Sequence, residues 1–224
     1  MKTLTYPAEP GLGPRGDSAQ RRLELFCFGL LIALFSGSVL LGAPWRAMMF
    51  DPRAVQDGEW WRVLTHPFVH VTWYHLLLDA SAFLLLYHGL LDRRISHRLL
   101  FVIAGTAGSL LLSWLTAPAI TSRGLCGLSG IAHGLMAISA VEMMRGNTRR
   151  SYEWRIGCVT FALVVGKASF EAVSGNVLFD FLYFGMVGDP VAVSHAGGIV
   201  GALLVLLMIE RTACVVERIQ RTCV

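Results

Sequence analysis

Charged side chains are scarce in this chain: 15% of its residues are Asp, Glu, Lys or Arg, against 54% hydrophobic. A soluble domain carries about a quarter charged residues, so this composition and a mean hydropathy of +0.58 exclude an ordinary water-soluble fold. Cysteine is sparse as well. Five residues (Cys27, Cys126, Cys158, Cys214 and Cys223) are scattered, odd in number and without metal-ligand spacing. That excludes a disulfide framework and a zinc site and leaves buried free thiols as the expectation. His-Glu-x-x-His is missing, and without that helical pair of ligands a metalloprotease is not expected. Concentrated basic patches are missing too. The net charge is +4, yet the basic residues follow the loops rather than one surface, so nucleic acid is not expected as a partner.

What the chain does have is apolar length. Six runs of about twenty residues, enough to cross a bilayer, extend roughly over Leu23 to Ala43, Val71 to Leu91, Leu99 to Ala117, Leu125 to Met144, Ile156 to Val173 and Val191 to Ile209. The chain reads as an all-α, six-helix bundle embedded in the lipid bilayer. Fourteen of the nineteen Lys and Arg fall in the amino-terminal tail, the second and fourth connections and the carboxyl tail. The opposite side holds Arg46, Arg53, Arg62 and Arg123, and Lys167 lies within a helix. The positive-inside rule therefore puts both termini in the cytoplasm. Residues 1–20 read as a mobile tail, 21–211 as the membrane domain and 212–224 as a second tail. The first run exceeds a signal-peptide core, so a retained span is expected. The connection from Pro44 to His70 carries Trp45, Trp60, Trp61 and Phe68, which fits an interfacial anchor better than a substrate gate.

Polar groups inside a bilayer are costly and mark a functional site by default. Under this topology the second, fourth and sixth helices begin at the external face, and His75, Asp79, Ser129, His133 and His195 fall in their first turns, at one depth. Ser129 sits in Gly127-Leu128-Ser129-Gly130 and His195 in Ser194-His195-Ala196-Gly197-Gly198. Serine is a weak nucleophile until a base takes its proton. His195, on a different helix, is favoured as that base over His133, four residues after Ser129 on the same helix. Gly130 and Gly134 stand four apart, as do Gly197 and Gly201, with Gly198 between the second pair; such small-residue faces let helices approach closely.

Asp79 shares a helix face with His75. Protonated, it donates to a developing oxyanion; ionised, it repels one; and it can equally hold the His75 tautomer. Spacing alone allows all three. His66 and His70 fit structural hydrogen bonding near the interface. Lys167 and Glu171, four apart in mid-helix, read as a structural ion pair, with a proton pathway as the other reading.

Taken together, Thr65-His66-Pro67-Phe68-Val69-His70 with His75-Leu76-Leu77-Leu78-Asp79, Gly127-Leu128-Ser129-Gly130 and His195-Ala196-Gly197-Gly198 resemble the rhomboid intramembrane serine proteases. The resemblance covers most of residues 60 to 205. It implies that Ser129 is the nucleophile and His195 the general base, a dyad without an acidic third member and without a cofactor. It also implies an oxyanion hole made of the Ser129 backbone N–H, the His75 side chain and the side chain at 79. Two positions depart from the family pattern. Asp79 stands where asparagine is usual, and His133 where many members have an aromatic ring packed on the catalytic imidazole.

Ser129-Gly130-Ile131-Ala132-His133-Gly134 and Lys167-x-x-x-Glu171 are similar to the rhombosortase branch. Those bacterial enzymes process exported proteins that end in a Gly-Gly motif, an apolar helix and a basic tail. The similarity implies a transmembrane or tail-anchored protein substrate, cut at the periplasmic face of the bacterial inner membrane, with release or transfer to a lipid-type acceptor. The rival readings are a general rhomboid protease of other transmembrane substrates, an inactive relative that binds transmembrane helices, and a small proton-coupled transporter.

Overall fold

The computed structural model describes residues 14–178, 181, 184–188 and 191–222. Among these residues the backbone is helical or irregular, with a lone bridge from Phe50 to Leu125 and no strand. The six apolar runs correspond to six long helices: α1 (Pro14–Ser36), α2 (Trp73–Gly89), α3 (Ile95–Thr116), α4 (Ser129–Gly146), α5 (Tyr152–Ser174) and α6 (Val193–Thr222). Helix α1 starts and α6 ends inside the stretches read from the sequence as tails. Residues 1–13, 223 and 224, Cys223 included, lie outside the described residues.

Local chemistry sets several of these boundaries. The Thr72 hydroxyl caps α2 by accepting the His75 N–H at 3.0 Å, and Ser151 caps α5 by accepting from Trp154 at 3.1 Å. Helix α5 ends on Gly175 in the left-handed conformation, whose N–H closes on the Glu171 carbonyl.

Among the described residues four helices are long and apolar enough to cross a membrane: Ser18–Leu41, Ile95–Thr116, Tyr152–Ser174 and Val193–Val215. Counting Arg62–Phe68 and Trp73–Gly89, bent by 92°, as one broken span gives a fifth. The expected six spans are thus four or five by length and apolarity. Helix α4 does not qualify because it is the central post of the bundle. Its buried residues include Gly130, Ile131, Ala132, Leu135, Ile138, Val141 and the acid Glu142, so protein rather than lipid covers it. Around it Phe28, Phe83, Tyr87, Phe101, Leu128 and Leu206 form the core. Phe28 meets Phe83 and Tyr87 edge-to-face at 5.1 and 5.0 Å.

Arg98, one of the basic residues of the second connection, is fully buried near the start of α3. Its Nε and one terminal nitrogen donate to the two Glu24 carboxylate oxygens at 3.0 and 2.6 Å. The other terminal nitrogen donates to the Asp92 and Arg93 carbonyls, and Tyr87 donates its hydroxyl to Glu24 at 2.5 Å. These contacts pair and hydrogen-bond the cation within the protein, which is what burial of a charge requires. The thiols also differ from expectation: Cys27 and Cys214 are exposed and Cys126 and Cys158 partly so. A free thiol is apolar enough to face lipid. Trp45, Trp60 and Trp61 are exposed, in keeping with an interfacial segment.

Helix α6 reaches its neighbours through glycine. A Cβ on Gly198 would lie 1.8 Å from the Gly130 carbonyl oxygen, and one on Gly134 2.6 Å from the Gly198 oxygen. Gly130, Gly134 and Gly198 therefore join the serine helix to the histidine helix. Gly197 and Gly201 instead face α3, where added Cβ atoms would lie 2.3 Å from the Gly108 oxygen and 2.0 Å from the Ala104 oxygen. Gly198→Ala is expected to lower stability by about 1–3 kcal/mol or more through overpacking, read as a lower thermal midpoint in detergent. Gly166→Ala, where nothing lies within 4 Å, is expected to leave the midpoint unchanged or slightly raised.

Candidate active site

The turn into α4 needs glycine at 127. Its φ is +98°, and an added Cβ would lie 2.8 Å from Asp79 Oδ2 and 2.9 Å from His75 Nε2. The Gly127 N–H donates to the His66 carbonyl at 3.1 Å, tying the nucleophile turn to the segment before α2. Past this turn the free N–H groups of Leu128 and Ser129 both donate to Asp79 Oδ2, at 2.9 and 3.0 Å. A carboxylate at a helix amino terminus meets unpaired N–H groups and the positive end of the dipole, which explains the contact. The same oxygen lies 3.1 Å from His75 Nε2 and 3.5 Å from His70 Nε2.

Asp79 therefore touches His75, as one sequence reading allowed. It also occupies the Ser129 N–H, which the spacing of residues alone could not show. His70 and His66 make the structural bonds expected of them. His70 Nδ1 meets Ser36 Oγ at 2.8 Å, while Ser36 donates to the Phe68 carbonyl, and His66 Nδ1 meets the Val63 carbonyl at 2.9 Å.

The second cluster converges from α4, α5 and α6. His195 Nδ1 meets Glu171 Oε2 at 2.6 Å. The other Glu171 oxygen accepts from Lys167 Nζ at 2.6 Å and from the Leu178 N–H at 2.8 Å. The expected Lys167–Glu171 pair is present, but Glu171 also binds the histidine, so His195 has a carboxylate partner that the family resemblance did not imply. The one prior signal for it was a carboxylate in the middle of an apolar helix. Lys167 Nζ also reaches His133 Nε2 at 3.1 Å, and His133 Nδ1 bonds the Ser129 carbonyl at 2.7 Å. With Nδ1–H given to Ser129 and Nε2 accepting from Lys167, both His133 nitrogens are engaged. Its ring stacks on that of His195 at 3.9 Å and 13°, the place where the resemblance puts an aromatic ring. Because His195 Nδ1–H goes to the carboxylate, Nε2 is left as the acceptor nitrogen.

Ser129, His195, His75, Asp79 and Ser194 line one cavity of about 340 Å³. The Ser129 hydroxyl is not hydrogen-bonded to the imidazole, and catalytic bonds of this kind often tighten only when substrate binds. Among the described residues two groups have ligand atoms close enough for a metal ion, His70 with His75 and Asp79, and His133 with Glu171 and His195, each set within 4.8 Å. In the second group the hydrogen bonds above already link the three side chains and Lys167.

A multi-pass integral membrane protein, with a serine and a histidine at the amino termini of two adjoining helices and a shared polar cavity between them, is the class that this fold and site define. The family model for the Rhomboid domain matches residues 57–211, and the chain belongs to the rhomboid family of intramembrane serine proteases. Comparison with curated proteins and with solved structures found no match.

Removing a general base costs about 10²- to 10⁴-fold, so with His195 in the role that the resemblance implies, His195→Ala is expected to slow fluorophosphonate labelling of Ser129 by that factor, whereas His133→Phe, which keeps a stacked ring, costs less than about tenfold. The opposite order, read by labelling rates on folded protein, would move the base to His133.

Proposed function

We propose that this protein is an intramembrane serine endopeptidase of the rhombosortase type. It cuts exported proteins near a carboxyl-terminal Gly-Gly, apolar-helix, basic tail, at the periplasmic face of the bacterial inner membrane. The observation that carries the reading is the shared cavity of Ser129 and His195, with the His195 ring held by Glu171 so that Nε2 is free to accept a proton.

In this reading Ser129 Oγ bonds to the scissile carbonyl carbon as its proton passes to His195 Nε2. The carbonyl electron pair becomes an oxyanion, bound by the Ser129 N–H, His75 and residue 79. Collapse expels the leaving amine, which takes the proton back from Nε2, and leaves an ester on Ser129. Water, or a lipid-type acceptor, then resolves that ester. A helical substrate hides its carbonyls in hydrogen bonds, so glycines near the cut ease local unwinding. The membrane domain spans residues 21–211 with six crossings. Helix α4 crosses inside the ring of the others, and both termini are cytoplasmic. His133 against His195 and the Lys167–Glu171 pair beside the site support the rhombosortase branch. The same saturated network argues against a transporter, because a relay needs groups free to exchange protons with water.

Asp79 is the unusual member. An oxyanion on the Ser129 N–H must displace an ionised carboxylate or meet a protonated one, while an amide donates without either change. Asp79→Asn is therefore expected to keep at least wild-type turnover; lost turnover in folded protein would show that the acid itself is required.

The test of the function is co-expression with a tagged exported protein ending in the Gly-Gly, apolar-helix, basic tail. Wild type is expected to release a product with a new carboxyl terminus near the glycines, by mass, and Ser129→Ala none. Release that persists in Ser129→Ala would overturn the reading. An uncut tail with Ser129 still labelled by fluorophosphonate would limit it to a rhomboid protease of other substrates.

A further inference from the structure

We infer that Glu171 is the acidic third member of the catalytic group, a positioning residue that orients His195 through its carboxylate–imidazole bond and balances the imidazolium formed during acyl transfer. The inference rests on the reading of Ser129 and His195 as nucleophile and base. Its starting point is the 2.6 Å contact between Glu171 Oε2 and His195 Nδ1, a bond between α5 and α6 with both side chains buried.

A carboxylate in this position must be held before it can hold anything else. Its second oxygen accepts from Lys167 Nζ and from the Leu178 N–H, and the side chain has no exposed surface. The carboxylate therefore cannot swing to solvent, and its Oε2 is committed to the imidazole. Three consequences follow for the chemistry. Nδ1 keeps its hydrogen, so the tautomer with a bare Nε2 prevails. The ring is fixed about its long axis by Glu171 and across its face by the stacked His133. When Nε2 takes the Ser129 proton, the new positive charge sits beside a carboxylate rather than beside Lys167 alone. The proton then leaves from Nε2 to the departing amine, and Glu171 stays ionised throughout.

Lys167 links the parts. Its ammonium bridges Glu171 and His133 Nε2, and His133 returns to the Ser129 carbonyl. The loop Ser129–His133–Lys167–Glu171–His195 thus connects the backbone of the nucleophile to the base through three side chains, His133, Lys167 and Glu171. A purely structural role for Glu171, pairing with Lys167 and bridging α5 to α6, would need the carboxylate charge but no particular imidazole nitrogen.

The experiment compares wild type, Glu171→Gln and Glu171→Asp as full-length protein in detergent, measuring kcat and KM on a transmembrane substrate, fluorophosphonate labelling of Ser129 and thermal midpoint. Loss of a triad acid lowers kcat by about 10⁴-fold in serine proteases. Glu171→Gln is expected to lose about 10²- to 10⁴-fold in kcat and labelling rate at nearly unchanged KM. Glu171→Asp, which keeps the charge, is expected to recover part of that loss. Wild-type kcat in Glu171→Gln would overturn the inference. So would equal losses in both variants with matching falls in thermal midpoint, which would assign Glu171 to helix bridging alone. Failure of wild type to label at Ser129 would instead overturn the protease reading beneath it.

Discussion

Two helices bring their backbones together at Gly130 and Gly198 with no side chain between them, and the site depends on that approach. A methyl group on Gly198 would stand 1.8 Å from the Gly130 oxygen, so any larger residue would push α6 away from α4. His195 lies three residues before Gly198 on α6, and Ser129 one before Gly130 on α4. Their separation is therefore tied to the glycine contact by rigid helical geometry. Gly197 and Gly201 clamp the other side of α6 to α3, so the histidine helix is gripped on two faces. Membrane helices gain little from hydrophobic burial against each other, and close packing of small residues supplies much of what holds them.

With the helices fixed, the polar groups complete one another. Burial of His195, Glu171 and Asp79 would each be costly alone. Asp79 is satisfied by the free N–H groups at the start of α4, and Glu171 by Lys167, Leu178 and His195. The same principle operates at the opposite end of α2, where Glu24, Arg98 and Tyr87 neutralise one another. The polar constellation is thus part of how the bundle is held as well as the source of its proposed chemistry. Ser129, whose hydroxyl takes no part in that network, lines the cavity.

Much of this was legible in the sequence because membrane helices and helix-start motifs depend on local pattern. The six apolar runs lie where the six long helices are, and the motifs around Ser129 and His195 lie at helix starts. What stayed hidden depended on the relative rotation of helices. Four-residue spacing paired Lys167 with Glu171 correctly, but could not reveal that the second Glu171 oxygen points across to α6. Asp79 could be placed beside His75 by spacing, yet its bonds to Leu128 and Ser129 depend on how α2 meets the Gly127 turn. Arg98 looked like a loop cation because its partner Glu24 is seventy-four positions away. Helix α4 falls short of the apolarity of the other spans, since a helix covered by protein has no need of a lipid-facing surface.

Whether Ser129 and His195 act as one nucleophile–base pair is decided by a crystal structure of the protein treated with a peptidyl chloromethyl ketone, which alkylates the base while its carbonyl is captured by the nucleophile. One inhibitor bridging Ser129 Oγ and His195 Nε2, with the Glu171 bond to Nδ1 intact, is the expected result. Alkylation of His133, or attachment that leaves Ser129 free, would contradict it.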